Sequence, residues 1–138
     1  MDKQVRLEGA RQALEGAKVL LGHADFRGCV SRCYYAAYQA MWAAVGEPER
    51  RPRWEHFGLM KAFVRGRWFD LQTSMRGPGV FEPQRFALHR LYDLRLKADY
   101  RLDDISREEA KWAVDIAQEI ITLSEEKDIS NATQDKEV

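Results

Sequence analysis

The segment that decides the fold is residues 26–46, which read FRGCVSRCYYAAYQAMWAAVG. Its apolar side chains recur every three or four residues, as they do along an α-helix. One stripe consists of Phe26, Val30, Cys33, Ala37, Met41 and Ala44, and a second of Tyr35, Tyr38, Trp42 and Val45. Because a helix that is apolar on two sides must be covered on both, we expect this helix at the centre of the fold. Asp25 is its predicted N-cap, and Gly46 and Pro48 end it.

The rest of the chain has the same helical spacing, and no strand pattern competes with it. Further helices are predicted over residues 3–22, 54–66 and about 83–100, and a last one starts at residue 106. This last helix has the clearest start signal, since Ser106 and Glu109 can form a capping box. The sequence therefore predicts an all-α protein, an up-and-down bundle of four long helices and one short helix over residues 1–127. Residues 128–138 are polar and are expected to form a flexible tail.

The segment 67–82 contains the turn signal Gly77-Pro78-Gly79 and is expected to be irregular. It also carries three large apolar residues, Trp68, Phe69 and Phe81. These residues either pack over the end of the bundle, which we favour, or present a contact surface to a partner protein.

Length and composition exclude several classes of protein. The chain of 138 residues fits one domain, and with 45% apolar and 32% charged residues it has a globular composition. The 22 basic and 22 acidic residues cancel, which argues against a strongly electrostatic nucleic-acid or membrane binder. The sequence has no apolar leader, no stretch long enough for a bilayer and only two cysteines, so a cytoplasmic protein is expected.

The charges are unevenly distributed along the chain. Residues 1–46 carry a net charge of +2, residues 47–101 carry +5, and residues 102–138 carry −7. This asymmetry has two interpretations: ordinary pairing between helices, or a basic groove beside an acidic helix.

Motifs of the common enzyme classes are missing from the sequence, which has no Gly-rich phosphate loop, no zinc-protease motif and no serine elbow. Cys29 and Cys33 lie four residues apart on one helix face. A metal site there would need His23 or His56 as well, so we expect two buried cysteines and no metal. No cofactor is predicted.

Polar residues at unusual positions are better candidates for function. The central helix contains SRCYYAAY at 31–38, and the fourth helix ends in RLKADY at 95–100. Arg95 and Asp99 share a helix face and can pair. One interpretation is a buried Arg–Asp–Tyr network that fixes helix register. The other is an anion site, in which a guanidinium binds phosphate and tyrosines stack on bases. His56 is either a capping or surface residue, or a general base or phosphate ligand.

These segments, in this order and with a histidine opening the third helix, resemble the HEPN domain. The likeness covers about residues 4–126 and is nearest to the small stand-alone bacterial and archaeal HEPN proteins. It implies a helical bundle that commonly forms homodimers. It also implies a toxin–antitoxin pair with a minimal nucleotidyltransferase, and, in active members, a metal-independent ribonuclease. The active members have a sequence signature in which an arginine is followed, after four to six residues, by a histidine, and the two residues act together across the dimer cleft.

The sequence departs from this signature, since no histidine follows Arg95 at the required spacing. Arg50 and Arg51 precede His56 at that spacing, but they lie in a loop. We therefore expect a non-catalytic HEPN protein that binds a nucleotide or RNA phosphate, or a minimal nucleotidyltransferase partner. The alternative is a metal-independent ribonuclease that uses His56 with Arg95 or Arg51. The predicted ligand-binding residues, expected in one polar cleft, are Arg32, Tyr35, His56, Arg95, Asp99 and Tyr100.

Each of these residues has an expected role. Arg95 would hold the anion, and Asp99 would orient the Arg95 side chain. Tyr35 and Tyr100 would donate hydrogen bonds from their hydroxyl groups to the ligand, and His56 would supply a titratable contact. The apolar excess on the central helix and the resemblance both favour a homodimer.

Overall fold

The structure is a computed structural model that describes residues 1–71, 78–101 and 103–137, with side chains as far as Glu126. The described residues form five α-helices and no strand. The helices are α1 (Lys3–Gly22), α2 (Phe26–Val45), α3 (His56–Arg65), α4 (Arg85–Leu96) and α5 (Arg107–Glu137). A 3₁₀ turn at Glu82–Gln84 precedes α4, and a π-helical turn at Lys97–Arg101 follows it. The all-α prediction is confirmed.

The helix α2 lies at the centre of the bundle and packs against the other four helices. Its buried residues are Cys29, Val30, Cys33, Tyr34, Ala36, Ala37, Ala40, Met41, Trp42 and Ala43. The prediction that the helix with two apolar stripes is central is thus confirmed. Its alanines have small side chains, which let neighbouring helices approach closely. Both predicted ends are also confirmed, because the Asp25 carboxylate accepts a hydrogen bond from the Gly28 N–H and the helix stops before Gly46.

The helix α3 begins at His56, two residues later than predicted. Two hydrogen bonds, one to the backbone of Trp54 and one from its side chain, hold this residue outside the helix. Its carbonyl oxygen accepts a hydrogen bond from the Tyr38 hydroxyl at 2.6 Å, and its indole N–H donates to the Gly46 carbonyl at 2.8 Å. These tertiary bonds fix the loop over residues 46–55 across the end of α2.

The aromatic residues after α3 pack over the end of the bundle. Trp68 stacks on Phe63 and Phe81, with ring centroids 5.1 and 5.2 Å apart. Gly66 allows the chain to turn after α3, because its φ is +77°. Gly79 allows the returning chain to lie close to α3, since a Cβ at this position would be 2.3 Å from the Val64 carbonyl oxygen. The packing interpretation of these aromatics is confirmed, while residues 72–77 of the segment lie outside the described residues.

The fourth helix differs from the prediction at both ends. Pro83 lies in the 3₁₀ turn, so the α-helix itself begins at Arg85. The α-helix ends at Leu96, and the chain continues as the π-helical turn. The wider turn keeps Ala98 in the core and brings Asp99 to the hydroxyl group of Ser31 on α2.

Opposite charges join α5 to the rest of the fold. Arg11 pairs with Glu125 at 2.7 Å, and Lys97 pairs with Glu109 at 3.7 Å. These contacts agree with the interpretation of the charge asymmetry as pairing between helices. The backbone of α5 continues to Glu137, so it includes most of the predicted tail, whose flexibility stays a prediction.

The capping box at the start of α5 is confirmed. The Ser106 N–H donates to the Glu109 carboxylate at 2.9 Å, and the Glu109 N–H donates to the Ser106 hydroxyl at 3.0 Å. We expect Ser106→Ala to lower the free energy of unfolding by about 1 kcal/mol, measured by urea denaturation. The Ser106→Gly variant is the control, because glycine is itself tolerated at an N-cap and should cost only a few tenths of a kcal/mol. Equal losses in the two variants would contradict the assignment of the cap.

None of the helices in the described ranges has the length and apolarity that crossing a membrane requires.

Candidate functional site

An open cleft of about 910 Å³ lies where α2, the loop over residues 46–55, the start of α3 and the end of α4 meet. From α2 and the loop it is lined by Ser31, Tyr34, Tyr35, Tyr38, Trp42, Arg51, Pro52, Arg53, Trp54 and Glu55. The other lining residues are His56, Arg95 and Asp99. The cleft therefore combines aromatic rings with guanidinium groups, which is a chemistry suited to planar or anionic ligands.

The structure brings most of the predicted site residues together. Tyr35, His56, Arg95 and Asp99 line the cleft. Tyr100 lies beside it, where its hydroxyl accepts a hydrogen bond from the Arg95 guanidinium at 3.4 Å.

Arg32 is not part of the cleft. It lines an adjoining groove with Gly9 and Gln12 of α1, and this groove shares Ser31 and Tyr35 with the cleft, so Arg32 lies next to the cleft rather than in it. The reason is its position on α2, where one residue beyond Ser31 the side chain is rotated by about 100° toward α1.

Arg95 is held by contacts on three sides. Its Nε donates to Asp99 at 3.1 Å, and Asp99 also accepts the Ser31 hydroxyl. The guanidinium carbon lies 5.4 Å from the Tyr34 ring centroid and 5.2 Å from that of Tyr100, within cation–π range. Among the described residues, no hydrogen-bond partner is found for its Nη1 group. A guanidinium fixed in this way can offer Nη1 to an anion without first losing side-chain freedom.

His56 lies among aromatic rings at the inner wall of the cleft. Its Nδ1 is hydrogen-bonded to the Tyr34 hydroxyl, and its ring centroid lies 5.3 Å from that of Tyr38 and 5.2 Å from that of Tyr92. Burial lowers the pKa of His56, and the positive charge of Arg95 lowers it further. Burial also raises the pKa of the Tyr34 phenol. The pair is thus neutral near pH 7, and in the tautomer whose Nδ1–H donates to the Tyr34 hydroxyl, Nε2 is free to accept a proton.

Arg51 also reaches the cleft, on the loop that precedes α3. Its guanidinium pairs with Glu55 at 2.9 Å, and both side chains are exposed. The cleft therefore contains both arginines that the sequence offered as partners of His56, namely Arg51 and Arg95.

Sequence reasoning missed Tyr34, Tyr38 and Trp54 as residues of the site. A signal for the two tyrosines was present, because positions 31, 34 and 38 lie on one face of α2, and Ser31 contacts the predicted Asp99. Nothing in the sequence pattern indicated Trp54 as a site residue, since its position in the cleft depends on hydrogen bonds to residues remote in the sequence.

The lowered pKa of His56 predicts how stability depends on pH. A histidine whose pKa is lower in the folded state stabilises the protein above the unfolded pKa of about 6.5, and this stability is lost as the pH falls through the folded pKa. We expect the free energy of unfolding of the wild type to fall more steeply from about pH 7.5 to about pH 5.5 than that of His56→Asn. Urea denaturation at each pH measures this difference. Parallel pH profiles of the two proteins would contradict the buried environment of His56.

The two cysteines are fully buried, as predicted. The hydrogen bond between the two thiols, followed by burial, raises the pKa of the Cys33 thiol, which keeps it protonated and unreactive. Within the described ranges there is no group of three or more histidine, cysteine or carboxylate residues that could hold a metal ion.

Comparison with known proteins identifies a family and a relative. The family described as "HEPN domain" matches residues 4–127. A protein of Methanocaldococcus jannaschii named "Putative toxin MJ0605" is 31% identical over 108 residues, which cover 78% of this chain and 75% of that protein.

Proposed function

The chain belongs to the HEPN domain family, and on that basis we propose that its cleft binds single-stranded RNA as the toxin component of a toxin–antitoxin pair. The observation that carries the proposal is the position of Arg95 beside the exposed ring of Tyr100, in an open cleft that the exposed Tyr35 also lines. A guanidinium that binds a phosphate and aromatic rings that stack on bases are the two elements by which proteins hold single strands.

The cleft favours a single strand over a duplex. Its aromatic groups lie in a concave site between helices, which an unpaired base can enter and a base inside a duplex cannot. Three arginines line it, Arg51, Arg53 and Arg95, and two of them, Arg51 and Arg95, are each paired with an acidic residue. We therefore infer that few phosphates are neutralised and that stacking contributes a large share of the affinity.

The test is fluorescence anisotropy with a labelled single-stranded RNA of about eight nucleotides and with the same strand in a duplex. We expect the wild type to bind the duplex at least about tenfold more weakly. A plot of log affinity against log salt should have a shallow slope, between about −0.7 and about −2. Equal binding of both forms, or no binding by protein that circular dichroism shows to be folded, would contradict the proposal.

The toxin role is supported by the resemblance to HEPN proteins of toxin–antitoxin pairs and by the relative whose name contains the word toxin. A minimal nucleotidyltransferase is the expected partner, and a homodimer is the expected assembly. Light scattering of the purified protein at micromolar concentration tests the assembly, and a strict monomer would contradict it.

A second candidate function is metal-independent RNA cleavage, which is favoured by the presence of His56 and Arg95 in one cleft of one protomer. The 2′-oxygen of the RNA would attack the adjacent phosphorus while neutral His56 accepts its proton, and Arg95 would stabilise the charge on the phosphate oxygens. The bond to the 5′-oxygen would break, and that oxygen would take a proton from water. The expected products are a 2′,3′-cyclic phosphate and a 5′-hydroxyl.

This candidate requires cleavage in EDTA by the wild type that is lost in both His56→Asn and Arg95→Ala. Binding of RNA without cleavage would support the RNA-binding function and contradict the ribonuclease function. Cleavage that persists in His56→Asn would show that another residue accepts the proton.

A further inference from the structure

A second pocket, of about 500 Å³, opens beside α3, and none of the described residues that line it also lines the cleft. It is lined by Val45, Gly58, Lys61, Ala62, Arg65, Arg67 and Trp68. Four of these residues, at positions 58, 61, 62 and 65, occupy one face of α3, because their spacing follows the helix period. Val45 at the end of α2 and Trp68 after α3 complete its walls.

The pocket has an apolar interior and a basic rim. Val45, Ala62 and the ring of Trp68 are apolar, and the Trp68 indole N–H is already used, since it donates to the Phe63 carbonyl at 3.0 Å. The rim consists of Lys61, Arg65 and Arg67, and no acidic residue is among the described residues that line the pocket. Among the residues that the structure describes, none pairs with these three cations.

Several other basic residues in the described ranges, by contrast, form ion pairs. Arg11, Lys18, Arg51, Arg85 and Arg95 each lie within ion-pair distance of a carboxylate. Three neighbouring cations without such partners repel one another, so an anion at the rim would lower the electrostatic energy of the folded protein.

We propose that this pocket binds an amphipathic anion, a small molecule with an apolar body and a carboxylate, sulfonate or phosphate head. The apolar body would lie against Val45, Ala62 and Trp68, and the head would meet the cationic rim. The volume is in the range of small-molecule sites, which are mainly apolar with a few placed polar groups. This proposal is independent of the RNA-binding proposal, because the two sites have no described residue in common.

Gly58 gives a direct way to block the pocket. It lies in α3, and a Cβ built on it meets nothing within 4 Å. A Gly58→Met side chain therefore has open space to occupy without displacing the core. Because glycine is a poor helix former, the variant should also be at least as stable as the wild type, so loss of binding would not reflect unfolding.

The probe is 1-anilinonaphthalene-8-sulfonate, whose fluorescence rises in apolar surroundings, and its neutral counterpart is N-phenyl-1-naphthylamine. We expect saturable binding of one sulfonate per chain, weakened at least about tenfold by Gly58→Met, which fills the space for the apolar body. The double variant Lys61→Glu/Arg65→Glu should weaken binding of the sulfonate at least about tenfold and binding of the neutral dye by less than about twofold. Lys111→Glu on α5, an exposed residue away from the pocket, is the control and should bind as the wild type does.

Binding that is unchanged in Gly58→Met, or reduced equally by Lys111→Glu and by the double variant, would overturn the site. Displacement of the dye by octanoate supports a small-molecule ligand. Displacement by an acidic, tryptophan-containing peptide but not by octanoate would overturn that assignment in favour of a protein partner. Arg95→Ala should leave dye binding unchanged, so failure of the RNA proposal and failure of this one are distinguishable.

Discussion

Replacement of Arg95 by alanine is expected to weaken single-stranded RNA binding by about 1.5–3 kcal/mol, on the order of 10- to 150-fold in the dissociation constant. The reason is that the variant loses both the hydrogen bonds to the phosphate and the charge held between Tyr34 and Tyr100. Fluorescence anisotropy gives the affinity, and urea denaturation gives the stability. The side chain is 22% exposed and its ion pair lies at the cleft, so we expect a loss of stability within about 1 kcal/mol.

The matched control is Arg85→Ala. Arg85 also lies on α4 and also pairs with a carboxylate, that of Glu82 at 2.6 Å, but it does not line the cleft. We expect this variant to bind RNA as the wild type does. Arg95→Lys keeps the charge and loses the planar fork, so its affinity should lie between those of the wild type and the alanine variant. If stability and binding fall together in Arg95→Ala, the Arg–Asp–Tyr group is a structural network and the binding proposal fails.

Phe63→Ala is expected to cause the largest loss of stability, about 3–5 kcal/mol. The Phe63 side chain is 0% exposed and stacks on Trp68 and Phe81, so its removal leaves a cavity under the aromatic residues that cover the end of the bundle. A domain of this size has about 5–15 kcal/mol of stability in total, so a large fraction would be lost. The urea midpoint at unchanged slope measures the effect.

The control for this prediction is Phe86→Ala, the same chemical change at a side chain that is 79% exposed. We expect it to alter the free energy of unfolding by no more than about 0.5 kcal/mol. A loss of similar size in the two variants would show that Phe63 is not the anchor of this aromatic group.

The fold was predictable because its signals are local. The double stripe of residues 26–46 indicates burial on two sides, and the Ser106–Glu109 capping box marks a helix start by hydrogen bonds within one turn. Both features are confirmed. The start of α3 was not predictable, because the hydrogen bonds that hold Trp54 outside the helix come from residues remote in the sequence.

The site was predictable only in part, because helical periodicity does not say which side of a two-sided helix meets which neighbour. Tyr34 and Tyr35 are adjacent and equally suited to a site by residue type. In the structure Tyr34 is 5% exposed and bonded to His56, while Tyr35 is 54% exposed. Arg32 was placed with the cleft on the strength of its neighbours, yet α2 turns it toward α1.

The π-helical turn at Lys97–Arg101 makes the length of this segment as important as its side chains. In a regular α-helix, residues five apart are rotated by about 140° from each other, so Arg95 and Tyr100 would face different directions. The wider turn reduces this rotation and brings the guanidinium to the tyrosine hydroxyl. A single-residue insertion between the two would put them six residues apart, about 120° from each other around a regular α-helix, although every functional group would still be encoded. The spacing is thus itself a part of the site.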